Sequence, residues 1–167
     1  KRIVFFDTLI EKLNPGEVEA VLAHELGHFK RNHIRKRLLV SFVLSFGMFA
    51  LLGWISTQVW FYTDLGVMPN LNGYNGGLAL ALFMLVSPVF SFFFTPLGSL
   101  ASRKHEYEAD GFAAEKTSAN DLISALVKLY QDNASTLTPD PIYTAFYSSH
   151  PPAPLRIANL QRFSKPQ

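Results

Sequence analysis

The sequence predicts a mainly α-helical protein with a short N-terminal strand, its core interrupted by a two-helix transmembrane hairpin. Three observations carry that reading. Apolar residues recur at helical spacing near both ends, at Val18, Val21, Leu22 and Leu26 and again at Leu122, Ile123, Leu126, Val127 and Tyr130. Between them, Leu38 to Thr63 and Leu65 to Ser102 carry no charged residue, and the first stretch is long enough for a helix to cross about 30 Å of hydrocarbon. Charged residues make up only 17% of the chain, against about 25% in a typical soluble domain. The chain therefore divides into 1–37, a hairpin at 38–100, and 101–167, the first and last parts forming one core.

The first part opens on a strand-like run, Arg2 to Asp7, rich in β-branched and aromatic residues. A helix is expected over 15–35. Asn14 stands at its N-cap, Pro15 at the first helical position and Glu17 at the third, the pattern of a capping box. Inside this helix lies His24-Glu25-Leu26-Gly27-His28. Residues four apart share a helical face, so His24 and His28 can point imidazole nitrogens at one metal ion. Glu25 stands beside them, where a carboxylate can take a proton from metal-activated water.

Two histidines leave a catalytic zinc site one protein ligand short, and a carboxylate completes the His2Glu type. Cysteine is absent, which excludes a thiolate site, a disulfide framework and a cysteine nucleophile. The candidate is Glu106, in Ser102-Arg103-Lys104-His105-Glu106-Tyr107-Glu108-Ala109-Asp110. A helix expected over 101–116 puts Glu106 and Asp110 on one face. Asp110 can then accept the free N–H of a ligand histidine and fix its tautomer. Glu108 points to a different face and Glu115 has no such partner; His33 or His105 could in principle ligate, but in their basic surroundings both read as solvent-facing. The expected centre is one Zn2+ per chain, held by His24, His28 and Glu106 in a zincin-like metallopeptidase core.

The hairpin has its own signals. Pro88 and Pro96 interrupt the second apolar stretch, so a kink or an early end is expected there. Trp54, Trp60, Phe61 and Tyr62 cluster toward one end of the first, as interface aromatics do. Lys30, Arg31, Arg35, Lys36 and Arg37 precede the first span, Arg103 and Lys104 follow the second, and the connection holds only Asp64. The positive-inside rule places both basic ends in the cytoplasm. A hairpin also returns the chain to its starting side, which brings Glu106 to the side of His24 and His28. The net charge of +2 is thus local, and with no basic stripe no nucleic-acid partner is expected. Two buried helices of a soluble all-α domain are the alternative.

Asn120 or Asp121 is expected to cap the amphipathic helix that follows, 136–154 reads as a loop, and a last helix is expected over 153–163. The loop carries His150 among prolines, which hold a side chain without committing the backbone to a helix. An imidazole there can donate to a developing oxyanion, and the alternative is a loop histidine with no role. Arg156 opens the last helix and reads equally as a first-turn charge.

The H-E-L-G-H helix followed by E-Y-E-A-D resembles the integral-membrane zinc endopeptidases of the CAAX prenyl protease type I family. The likeness extends through Arg2–Ile10, Val18–Ala23 and Phe29-Lys30, and Gly111 stands where the family often has alanine. Heat-shock-induced bacterial relatives share the same pair of motifs. The resemblance implies a membrane-embedded zinc metalloendopeptidase with His24, His28 and Glu106 as ligands, Glu25 as general base and Asp110 beside them. His150 and Arg156, in Ser149-His150-Pro151-Pro152-Ala153-Pro154-Leu155-Arg156, match residues that contact substrate or the tetrahedral intermediate. Implied partners are a peptide or protein substrate, the lipid bilayer and upstream transmembrane helices of a longer chain. The expected setting is multi-pass, with the active site on the cytoplasmic side of a bacterial inner membrane or, alternatively, of the endoplasmic reticulum. Other readings are quality-control cleavage of damaged membrane proteins, as in the heat-shock relatives, hydrolysis of a non-peptide substrate, and a non-catalytic zinc-binding membrane interaction protein. The intact Glu25 argues against the last.

Overall fold

A computed structural model describes residues 7–132 and 139–164. Nine helices are assigned among them: α1 (Asp7–Lys12), α2 (Pro15–Lys30), α3 (His33–Ile55), α4 (Val59–Thr63), α5 (Gly76–Phe92), α6 (Thr95–Lys116), α7 (Ala119–Asp132), α8 (Pro141–Tyr147) and α9 (Ala153–Ser164). The expected strand at 2–7 lies outside the described residues except for Asp7, where α1 begins. The chain forms two compact units, 1–34 with 95–167, and 35–94.

In the first unit, α2 starts as its sequence dictates. The Glu17 amide donates to Asn14 Oδ1 at 2.9 Å, and the Asn14 amide donates back to Glu17 Oε2 at 2.8 Å. The helix ends at Lys30, five residues sooner than expected, because Asn32 adopts a positive φ of 57°. Asparagine tolerates that left-handed geometry better than most residues. A new helix, α3, starts at His33, so the expected 15–35 helix is two.

The core of this unit joins Ala20 and Ala23 of α2, Ala113 of α6, Leu122 and Leu126 of α7, and Leu160 of α9. Small residues on α2 and α6 let the two helices approach closely. Ser118, rather than Asn120 or Asp121, caps α7, accepting from the Asp121 amide at 3.3 Å. The inner face of α7 carries Leu122, Ala125 and Leu126, and Val127 turns outward. The expected loop at 136–154 contains α8. Asp140 starts it by accepting from the amides of Ile142 and Tyr143, with Pro141 at the first helical position. The α6 helix begins at Thr95, six residues ahead of expectation, with Pro96 in the first turn where a missing N–H costs nothing.

Glu17 ties α2 to α7. Its carboxylate is buried (1% exposed) and accepts from Lys128 Nζ at 2.7 Å and Ser124 Oγ at 2.6 Å. The Lys128 and Ser124 hydrogen bonds bring its pKa from 4.5 down to about 2. A depressed folded-state pKa stabilises above the unfolded value, and that contribution is lost as pH falls from 4.5 toward 2. Thermal unfolding of wild type and Glu17→Gln is expected to show a Tm difference at pH 6 that shrinks steadily as pH drops through this window. A difference that does not change with pH would contradict the assignment.

In the second unit, Ile55, Phe61, Tyr62 and Ala79 cluster where α3, α4 and α5 meet. Tyr62 Oη donates to the Ser56 carbonyl at 2.7 Å. Of the four expected interface aromatics, Phe61 and Tyr62 are therefore buried, whereas Trp54 and Trp60 face outward. Pro88 lies inside α5 without ending it, and the break falls after Phe92. Phe42, Phe46 and Phe49 of α3 are each at least 70% exposed, so α3 is not buried within the described residues. Among the described residues α3 is long and apolar enough by itself to cross a membrane, and α5 reaches that length only jointly with α6 as a broken span.

Candidate metal centre

The packing of α2 against α6 builds the site. A Cβ on Gly27 would meet the Ala109 Cα at 3.0 Å and the Ala109 carbonyl oxygen at 3.1 Å, so glycine is what permits the helices to approach there. That approach brings His24 and His28 of α2 against Glu106 of α6. His24 Nε2 is 3.2 Å from His28 Nε2 and 3.6 Å from Glu106 Oε2, and His28 Nε2 is 3.3 Å from Glu106 Oε1.

These separations suit a shared cation. A tetrahedral metal with ligands at 2.0–2.1 Å holds its ligand atoms about 3.4 Å apart. The hydrogen-bond network also assigns the tautomers. His24 Nδ1 lies 2.9 Å from Asp110 Oδ1, so it carries the proton and Nε2 presents a lone pair. Two imidazole lone pairs and a carboxylate then converge on one point, an arrangement that repels itself without a positive charge among them. The donor set, His24, His28 and Glu106, fits a divalent metal.

Around it stand the other expected residues. Burial would raise the Glu106 pKa, but the hydrogen bond with His150 and the charge of Arg156 override it and hold the carboxylate ionised, the form a metal requires. Asp110 is fully buried, and burial would raise its pKa too, yet His24 and Arg156 hold it down. Arg156 Nε and Nη2 donate to the two Asp110 oxygens at 2.8 and 2.5 Å, and Nη1 lies 3.4 Å from Glu106 Oε2. The guanidinium, only 7% exposed, is thereby committed to two carboxylates.

His150 Nδ1 lies 3.0 Å from Glu106 Oε2, and this hydrogen bond raises the imidazole pKa. Its segment is anchored on both sides. Arg103 Nη1 donates to the Thr144 and Ser148 carbonyls at 2.8 and 2.9 Å, and Tyr130 Oη donates to the carbonyl of buried Pro151. Glu25 is exposed on α2 and close enough to His150 for its charge to raise the imidazole pKa further.

One residue contradicts the sequence reading, and another gains a partner from it. His33 is buried rather than solvent-facing, with Nδ1 2.9 Å from His28 Nδ1. Glu108 meets His33 Nε2 at 3.0 Å and so belongs to the surroundings of the centre. Glu115 is exposed.

A helical scaffold that sets two histidines of an H-E-x-x-H helix against a glutamate from a later helix defines a metallopeptidase type of protein. The profile of Peptidase family M48 matches residues 1–164, and the chain belongs to that family. It is similar to CAAX prenyl protease 1 of Saccharomyces cerevisiae, 34% identical over 99% of this chain and 39% of that protein. The CAAX prenyl protease 1 homologue of Arabidopsis thaliana is 38% identical over 91% of this chain and 35% of its own length. The crystal structure of S. mikatae Ste24p superposes with a TM-score of 0.81 at 33% identity, covering 95% of this chain and 39% of that one. The chain thus spans less than half the length of these relatives.

Proposed function

We propose that the chain is the catalytic part of an integral-membrane zinc metalloendopeptidase of CAAX-protease type. The convergence of His24, His28 and Glu106, with the exposed Glu25 next to the ligands, carries this reading. A zinc ion held by His24, His28 and Glu106 would supply Lewis acidity, to polarise a carbonyl and to lower the pKa of a water molecule to about 7. Glu25 accepts the proton from the attacking water and passes it to the leaving amine. His150 donates toward the carbonyl oxygen as negative charge develops on it. Arg156 holds Asp110, and Asp110 holds His24 in the tautomer that offers Nε2. Asp110 and Arg156 thereby act through the ligands.

The substrate class is a peptide or protein. The names of the relatives favour CAAX-type peptides over quality-control cleavage of damaged membrane proteins. The 38–100 segment forms the membrane hairpin, supported by the exposed apolar surfaces of α3 and α5, and upstream helices of the full-length chain complete the membrane domain. The basic residues flanking the apolar stretches favour a site on the cytoplasmic side, in the bacterial inner membrane or the endoplasmic reticulum.

Metal removal tests the reading. Chelation of the full-length protein in detergent is expected to abolish peptide cleavage, and one equivalent of Zn2+ is expected to restore it. Cleavage that survives complete metal removal would contradict it.

A further inference from the structure

The site description leaves His28 Nδ1 with an unusual partner, a second histidine. On an unbroken helix, residues five apart lie about 140° around the axis from one another and cannot meet. The positive φ at Asn32 ends α2 and redirects the chain, and so brings His33 back against His28. His33 is 4% exposed, and its ring is stacked on His105 with centroids 4.1 Å apart and planes 11° from parallel, which fixes its orientation.

The proton order along this line follows from its ends. His28 Nε2 offers its lone pair to the metal, so Nδ1 carries hydrogen and donates to His33 Nδ1. His33 then carries its proton on Nε2 and donates to Glu108 Oε2 at 3.0 Å. Only one proton assignment satisfies all three groups along the line Glu108–His33–His28. His24 has the shorter counterpart, a direct bond to Asp110.

We propose that His33 and Glu108 are positioning residues that orient His28 as a metal ligand and raise its basicity, so that each ligand histidine is backed by its own carboxylate. The proposal rests on the metal-centre reading above. It gives the helix break at Asn32 a purpose: the turn converts a residue on the wrong face into the support of a ligand.

The test is zinc affinity, measured by chelator competition on the full-length protein in detergent. Glu108→Ala is expected to weaken zinc binding about 10- to 100-fold, the usual effect of losing an outer partner of a ligand histidine. Glu108→Gln keeps an acceptor without the charge, and a smaller loss is expected. Lys104→Ala removes the exposed partner 4.0 Å from the other Glu108 oxygen and is expected to leave affinity unchanged. Unchanged affinity in Glu108→Ala beside a tightly binding wild type would overturn the relay while the metal centre stands. An equal loss in Lys104→Ala would overturn it as well, since the effect would then belong to the surface ion pair. A wild-type protein that binds no zinc would overturn the centre itself and the relay with it.

Discussion

Glu25→Gln is expected to keep one zinc per chain and to lose about 100- to 10,000-fold in turnover. The substitution is nearly isosteric, and Glu25 is exposed on α2. The ligands His24, His28 and Glu106 are untouched, so metal content and stability should match wild type. What the amide cannot do is accept a proton at neutral pH and return it. Metal content and peptide cleavage measured on the same preparation check both halves. Wild-type turnover in a zinc-loaded Glu25→Gln protein would remove Glu25 from the mechanism.

The second large effect falls on stability. Arg156→Leu is expected to cost about 3–5 kcal/mol, because it leaves the fully buried Asp110 charge without its cationic partner. Hydrogen bonding to His24 alone is a poor replacement, since it draws on the imidazole that the metal also needs. Arg156→Lys should recover little. A single ammonium cannot reproduce the paired donation of Nε and Nη2 to two oxygens while a third nitrogen faces Glu106. Thermal unfolding of the full-length variants checks both, and a lysine variant as stable as wild type would contradict the geometry.

The candidate ligands were legible because their signal is local. His24 and His28 are one helical turn apart, as are Glu106 and Asp110, and the donor types restrict the chemistry further. The capping box at Asn14 was legible for the same reason. The position of His33 was not, because it depends on one asparagine adopting a left-handed conformation, which the periodicity of 15–35 does not reveal. Glu108 followed His33 out of view, since spacing along α6 relates it only to its own helix. The α8 helix had a readable start in Asp140-Pro141, obscured by the prolines after it. The early start of α6 was masked by Pro96, which breaks a helix interior but suits a first turn. Asp110 was expected to reach a ligand histidine, but its pairing with Arg156 joins residues far apart in sequence and needed the fold.

X-ray absorption at the zinc edge of the full-length protein tests the central claim most directly. The account predicts one zinc with two imidazole nitrogens and a carboxylate oxygen at about 2.0–2.1 Å. A shell of three or more imidazoles would draw His33 or His150 into the ligand set and contradict the assignment of Glu106. A protein purified with no zinc, and unable to take it up, would contradict the centre as a whole.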